Sequence, residues 1–236
     1  MLKSLISDES PRASLALLPS EYTAALIQVL RGKAAQLRGA KVLEIGSGSG
    51  VVLAALGALG AAALWGVDIE DEAVDESLAL LRYQGYADIA RIQRGDMWQP
   101  VAGQRFDLIV ANLPHFPMPS GGFNARLSSW SCGGDDGRQF LNPFLAGLAQ
   151  HLVPGGRAVI THNAFVGVDA SRAMLRQQGL ELRIALTFLV NIQGLKLSQL
   201  TPRVLAAEDG QTIHRYGPHA FAEVHIVEIS ATGDLN

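Results

Sequence analysis

The stretch Leu43-Glu44-Ile45-Gly46-Ser47-Gly48-Ser49-Gly50 restricts the fold of this chain more than any other, because an apolar strand ends there in a glycine-dense turn with a carboxylate just before the first glycine. Glycine lacks a Cβ, so the main chain of such a turn adopts unusual dihedrals and approaches a nucleotide-like ligand closely where a strand hands over to a helix. The helix is expected from Val51 to about Leu59. The spacing excludes two familiar ligand motifs. A dinucleotide fingerprint would need a third glycine where Val51 or Leu53 stands, and a phosphate-binding P-loop would need Gly-Lys-Ser/Thr, which does not follow.

Strand and helix patterns then alternate. A leader to about Pro19 precedes a helix over 20–30, in which Ala24, Leu26, Ile27 and Leu30 can bury one face. Strands are expected at 41–45, 63–69, 89–94, 106–111 and 157–161, with helices at 51–59, 72–84, 139–152 and 169–178. That alternation implies an α/β fold with a doubly wound, mostly parallel sheet that binds ligands at the carboxyl ends of its strands. The tail differs: 182–190 and 222–229 both read as strands with no helical pattern between them, which predicts an antiparallel pair. The intervening 191–220 reads as a long polar loop, and loops of that length are usually functional or mobile.

The second strand, Ala63-Leu64-Trp65-Gly66-Val67-Asp68-Ile69, ends in an acid placed to accept hydrogen bonds from both hydroxyls of a ribose lying across the sheet. The plain alternative for Asp68 is a helix-capping acid. Further along stand Gly95-Asp96-Met97, then Phe106-Asp107-Leu108-Ile109-Val110-Ala111-Asn112, then Leu152-Val153-Pro154-Gly155-Gly156, read as the turn before the fifth strand. Together with the glycine turn, these ordered segments resemble the class I S-adenosylmethionine-dependent methyltransferases over roughly residues 41–160. The resemblance implies a Rossmann-like, seven-stranded sheet with an antiparallel carboxyl-terminal strand, and S-adenosyl-L-methionine as cofactor. It implies that Glu44, Gly46, Ser47, Gly48 and Gly50 shape the methionine end, that Asp68 binds the ribose, that Asp96 and Met97 contact adenine, and that Ile69 is a further cofactor contact. It further divides the chain into an amino-terminal helical extension, 1–38, and a methyltransferase domain, 39–236.

Asn112-Leu113-Pro114-His115, directly after the fourth strand, looks like a variant of the N-P-P-Y/F motif of nitrogen methyltransferases. In that group the asparagine side-chain oxygen and the next backbone oxygen accept hydrogen bonds from the target NH2; Asn112 also counts among the cofactor contacts. An amide or exocyclic amino nitrogen is a poor nucleophile, so alignment and preorganised acceptors must supply much of the catalysis. Asn112 has a structural alternative too, as a cap on the turn before proline. Leu113 replaces a proline and keeps its backbone carbonyl, while losing the restriction that proline puts on the preceding residue. His115 replaces an aromatic residue: stacking on a planar group is favoured over donating a hydrogen bond or accepting a proton, and the structural alternative is a loop histidine with a satisfied polar contact. Phe116 offers a second ring, or ordinary core packing.

The downstream Gly133-Gly134-Asp135-Asp136-Gly137 resembles a segment of the release-factor type of protein glutamine methyltransferase, with His115, Phe116, Gly133 and Asp136 as candidate substrate contacts. Asp136 can equally serve as a turn carboxylate capping the helix from Gln139. Leu18-Pro19-Ser20-Glu21-Tyr22-Thr23 is faintly similar to the segment leading into the catalytic domain of those enzymes. About forty residues precede the first strand, fewer than their amino-terminal helical domain, so substrate recognition is expected to differ.

The favoured reading is N-methylation of an amide or amino nitrogen of a protein, peptide or small metabolite, above all a glutamine-like amide. A nucleobase amine is the near alternative, although the net charge of −3 gives no strong nucleic-acid signal. A non-catalytic cofactor-binding protein is a third reading, and a nicotinamide-dependent oxidoreductase is disfavoured by the failed glycine spacing. His214, His219 and His225 lack metal-ligand spacing, so no metal is expected. Cys132, the single cysteine, is read as a plain thiol, and His162 as a structural residue at a strand end, with lining of the substrate cleft as its alternative. No signal peptide or membrane span is evident, and a cytoplasmic protein is the simplest inference.

Overall fold

Strand β1 (Lys41–Ile45) is buried from its second residue onward, as a strand covered on both faces must be. Its side chains alternate between two cores: Leu43 and Ile45 enter one, Val42 the other. The computed structural model describes residues 19–119 and 131–233, and the leader before Pro19 lies outside the described residues. Parallel strands β2 (Ala63–Asp68) and β3 (Ala90–Arg94) extend the sheet on one side of β1, and β4 (Phe106–Ala111) and β5 (Leu152–Asn163) extend it on the other. Beyond β5 lies β8 (His219–Ala231), antiparallel, and then β6 (Leu180–Ile192), antiparallel to β8 and therefore parallel to β5. The order is β3-β2-β1-β4-β5-β8-β6.

Helices α1 (Glu21–Arg31), α3 (Val51–Ala58) and α4 (Asp71–Tyr83) cover one face, contributing Leu26, Leu30, Val52, Leu53, Leu56 and Leu81 to one core. A short α2 (Ala34–Leu37) follows α1. On the other face α5 (Leu141–His151) and α6 (Val168–Arg176) bury Phe144, Leu145, Leu148 and Leu175 against Ile45, Ile109 and Ile160. Each such side chain contributes on the order of 1.5–3 kcal/mol.

Three expectations need correction. Among the described residues the sheet has eight strands, not seven: β7 (Ile213–Tyr216) adds to the amino-terminal part of β8, opposite the end of β6 that carries Ile192. Residues 191–220 are accordingly not a plain loop, since they also hold α7 (Gly194–Leu197) and α8 (Pro202–Glu208). These pieces are too short for periodicity to reveal, and tertiary pairing makes them. Finally, Val153-Pro154-Gly155-Gly156 is not a turn before β5 but an interruption within it: Phe106 faces Leu152, and the next registered pair is Leu108 with Arg157.

Away from the strand ends, β8 carries Glu228, whose side chain is 1% exposed and meets Lys33 at 2.8 Å, Arg157 at 2.9 Å and Arg183 at 2.6 Å. Burial pushes its pKa up, but the bonds and charges of these three cations outweigh burial and hold it below the usual carboxylate value. A depressed folded-state value gives stability that is present above the unfolded pKa and lost as pH falls through the folded one. Glu228→Gln should therefore lower the melting temperature at pH 7, with a loss of about 3–5 kcal/mol. The gap between wild type and variant should narrow below about pH 4, where acid neutralises the wild-type carboxylate.

Candidate active site

Strand order reverses between β1 and β4, which opens a crevice at their carboxyl ends. Ile45 is in register with both Val67 and Ala111, so the chain segments beginning at Gly46, Asp68 and Asn112 leave the sheet side by side. The glycine turn is pinned by Gly46 N–H and Ser47 N–H donating to Val67 O at 2.8 and 3.2 Å. Gly50 has φ +77°, and a Cβ on it would lie 2.8 Å from Ser77 Cα, so the turn abuts α4 where only glycine fits. No heavy atom would come within 4 Å of a Cβ on Gly48, which faces open space.

Glu44 sits beneath this turn, buried, with Oε2 lacking any hydrogen-bond partner. Burial raises its carboxyl well above the usual value, the Asp68 charge adds to this, and the Leu53 N–H counteracts. Such an orphaned acid is complementary to a cationic ligand group. Asp68 Oδ2 accepts from Gly48 N–H at 2.9 Å and Oδ1 from Glu70 N–H at 3.1 Å, so its carboxylate braces the turn and retains further lone pairs. Burial raises its pKa against those donors. Ile69 beside it is 59% exposed. The Gly95 N–H donates to Asp68 O at 2.8 Å and brings Asp96 and Met97 alongside; Asp96 is exposed, and Met97 takes φ 49°, rare for a residue with a side chain. The residues expected at the cofactor thus converge on one edge.

On the other side of the crevice, Asn112 Oδ1 accepts a hydrogen bond from the Thr161 hydroxyl at 2.7 Å, because the register of Ala111 with Ile160 puts 112 and 161 next to each other. His115 is buried rather than displayed. It shares a hydrogen bond with the Asn163 side chain and lies 6.0 Å, tilted, from the Tyr22 ring. Burial, helped by the Lys196 charge, lowers its pKa to about 4, so the imidazole is neutral and a weak base near neutral pH. Tyr22 donates to Asn163 Oδ1 at 3.3 Å, with its own pKa raised by burial to about 12.

Phe116 belongs to the core, edge-on to Phe165 at 5.7 Å. Its N–H and C=O pair with Ser131 O and Gly133 N–H, each at 2.9 Å, tying the tetrapeptide loop to the glycine-rich segment. Gly133 and Gly137 are buried supports of that loop: a Cβ on Gly133 would stand 2.7 Å from His115 Cα, and one on Gly137 2.7 Å from His115 O. The exposed Asp136 accepts from Arg138 N–H at 2.9 Å, a local turn contact, but it does not cap the helix, which begins at Leu141 without a side-chain cap.

His162 does not line the cleft: it is fully buried, within 2.8 Å of Asn163 O and 2.9 Å of Ser171 Oγ, with its pKa lowered to about 3, chiefly by burial. Its neighbour Arg138 donates to Val166 O and Ser171 Oγ, buttressing the same layer. Cys132 Sγ contacts Met118 O, as a plain thiol does. Sequence reasoning missed Thr161, Asn163, Tyr22 and Lys196. The polar Thr161-His162-Asn163 closing an apolar strand was the available signal; Tyr22 stood in the segment similar to the one leading into the catalytic domain, without a role assigned, and nothing local marked Lys196. Among the described residues, no group of three or more His, Cys, Asp or Glu is placed to hold a metal, and no helix is long and apolar enough to cross a membrane.

A raised folded-state pKa gives stability that is full below the unfolded value and lost as pH rises through the folded one. Glu44→Gln removes that loss while keeping the shape of the side chain. The variant should match the wild-type melting temperature near pH 4 and exceed it increasingly toward pH 8, by about 1–3 kcal/mol of added stability, as read by thermal melts across pH. Gly137→Ala should have the opposite effect, with its strained φ and blocked Cβ costing about 2–4 kcal/mol in denaturant unfolding.

A methyltransferase domain family matches residues 42–128. A release factor glutamine methyltransferase of Gloeobacter violaceus is 31% identical over 59% of this chain and 51% of the relative, so the chain spans about half the length of that protein. Methyltransferase HEMK2 of Homo sapiens is 30% identical over 72% of this chain and 87% of its own length. A putative RNA methyltransferase of Pyrococcus horikoshii has the same fold at a TM-score of 0.60, with 18% identity over 91% of this chain and 85% of that one. The family implies use of S-adenosylmethionine. With the crevice, the glycine turn and the Asn112 tetrapeptide on one strand edge, and kinship extending along most of the human relative, the chain belongs to the class I S-adenosylmethionine-dependent methyltransferases of the protein glutamine methyltransferase type.

Proposed function

We propose that this chain methylates the side-chain amide nitrogen of a glutamine in a protein or peptide, with S-adenosylmethionine as donor. The carrying observation is the Asn112 side-chain oxygen, held by the Thr161 hydroxyl at 2.7 Å beside the glycine turn. The orphaned Glu44 oxygen fits the ammonium of the cofactor's amino-acid end; the free lone pairs of Asp68 fit its ribose hydroxyls; Ile69, Asp96 and Met97 fit its adenine. When bound, the cofactor supplies an electrophilic methyl group on a sulfonium. Asn112 Oδ1 and the Leu113 carbonyl receive the two hydrogens of the glutamine NH2 and aim the nitrogen lone pair at that methyl. The two acceptors would stabilise the positive charge that gathers on the nitrogen as it takes up the methyl group. The methylated amide then loses its proton to water. His115, a weak base packed against Asn163, orients the loop and takes no proton.

Incubation with methyl-labelled cofactor and glutamine peptides, followed by mass spectrometry, tests the reading; cofactor binding without transfer to any glutamine would reject it. Asn112→Ala should keep S-adenosylhomocysteine affinity within about threefold while single-turnover rates fall about 100- to 1,000-fold, the scale seen when a preorganised transition-state partner is removed. Thr161→Val, which frees the amide without deleting it, should cost about tenfold in rate. The wild-type rate should show no inflection between about pH 5.5 and 8 from His115, because its pKa lies near 4.

A further inference from the structure

The strap between β6 and β7 lies over the acceptor half of the crevice, because β6 runs parallel to β5 and delivers it at the same strand edge. Thr201 fastens it: its N–H donates to Pro117 O at 3.1 Å and its hydroxyl to Asp135 O at 2.9 Å, one bond to each of the two loops around the tetrapeptide. Lys196, in α7 of that strap, projects its Nζ over the Phe116 ring, 4.7 Å from the centroid, and reaches Ser131 Oγ only at 3.5 Å. Among the described residues no carboxylate ion-pairs with it, in contrast to the three cations gathered on Glu228. Glu21 acts on it only through its charge at longer range.

A largely desolvated ammonium is normally matched by an anion, and an aromatic face is a weaker partner than a carboxylate. Burial lowers the Lys196 pKa, and its charge is felt at His115 in the tetrapeptide itself. The cation therefore stands beside the acceptor nitrogen's approach with no carboxylate ion-paired to it among the described residues. A single lysine is no track for a nucleic-acid backbone, and a net charge of −3 does not attract polyanions. It suits one local carboxylate.

We propose that Lys196 is the acceptor-recognition cation of this site, pairing with a carboxylate that the substrate carries beside the methylated amide. The favoured acceptor is then a glutamine flanked by Asp or Glu, or one that ends its chain with a free carboxylate. This deepens the glutamine-amide reading and rests on it.

Three fluorescent peptides decide the matter by anisotropy in the presence of S-adenosylhomocysteine: one with glutamine between glycines and amidated, one with Asp next to glutamine, and one ending in glutamine with a free carboxylate. The wild type should bind one or both carboxylate peptides at least about tenfold tighter than the neutral one, a preference that shrinks as salt rises; which of the two it prefers identifies the source of the anion. Lys196→Arg should keep the preference, and Lys196→Met, which retains the stem over Phe116, should lose it. Equal binding of all three peptides by the wild type, no binding of any, or a preference that survives in Lys196→Met would overturn the assignment. Should Lys196→Met fail to fold by circular dichroism, the wild-type preference and its salt dependence still decide. Methyl transfer to the same peptides separates the two ideas. Equal binding with methylation of every peptide overturns the Lys196 assignment alone, whereas a Lys196-dependent preference with no methylation supports the carboxylate site and rejects the amide reading.

Discussion

The register between β1 and β4 is the constraint on which the site depends. Because Ile45 faces Ala111, the two chains leave the sheet in step, and the glycine turn and the tetrapeptide become walls of one crevice. A slip of one residue would turn Glu44 toward the opposite face from Asn112, since strand side chains alternate with period two. The alternation of Val42, Leu43 and Ile45 between two separate cores opposes such a slip: it would exchange the side chains that fill each core. Packing thus holds the chemistry in place from below. The glycine-rich segment holds it from above, where Gly133 and Gly137 lie against the backbone of His115.

Two buried glutamates show how differently the fold treats the same side chain. Glu228 is surrounded by Lys33, Arg157 and Arg183 and stays ionised, so its cost of burial is offset within the chain. Glu44 has one oxygen without a partner and a carboxyl held well above the usual range. A structural acid would resemble the first case. An acid kept unsatisfied at the carboxyl end of a strand, under a turn that faces open space, is the arrangement expected of a ligand site that gives up some stability for affinity. Lys196 repeats that logic with opposite sign on the acceptor side.

Legibility in the sequence followed locality. The glycine turn, Asp68 and Asn112 could be placed because each ends a run of apolar residues long enough to declare a strand, and strand ends are where such sheets bind ligands. The burial of His115 could not, because it depends on Tyr22 and Asn163, which meet each other across 141 positions of sequence. The strap was read as a loop for a related reason. Its helices of four and seven residues and its four-residue strand carry too little periodicity to register alone, and Thr201 and Ile213 acquire meaning only from what they touch. Asp136 was divided between substrate contact and helix cap on sequence grounds; the geometry gives it a local turn contact with the Arg138 N–H, while the helix begins only at Leu141 and has no side-chain cap.

The two departures of the tetrapeptide from its motif acquire a physical account together. Leu113 brings Cδ2 to 3.7 Å from where a Cβ on Gly46 would stand, so a side chain that proline could not extend so far packs the acceptor loop onto the glycine turn. What is lost in proline's backbone restriction is recovered as contact between the two halves of the crevice. His115 then need not project an aromatic face outward. Its ring faces Tyr22 and Asn163, and its low basicity keeps a charge out of the buried layer that also contains His162 and the Arg138 guanidinium. A protonated imidazole there would face the Lys196 charge, which already lowers its basicity. Neutrality at 115 is therefore a condition for placing a cation at this loop, over Phe116, to meet an anion.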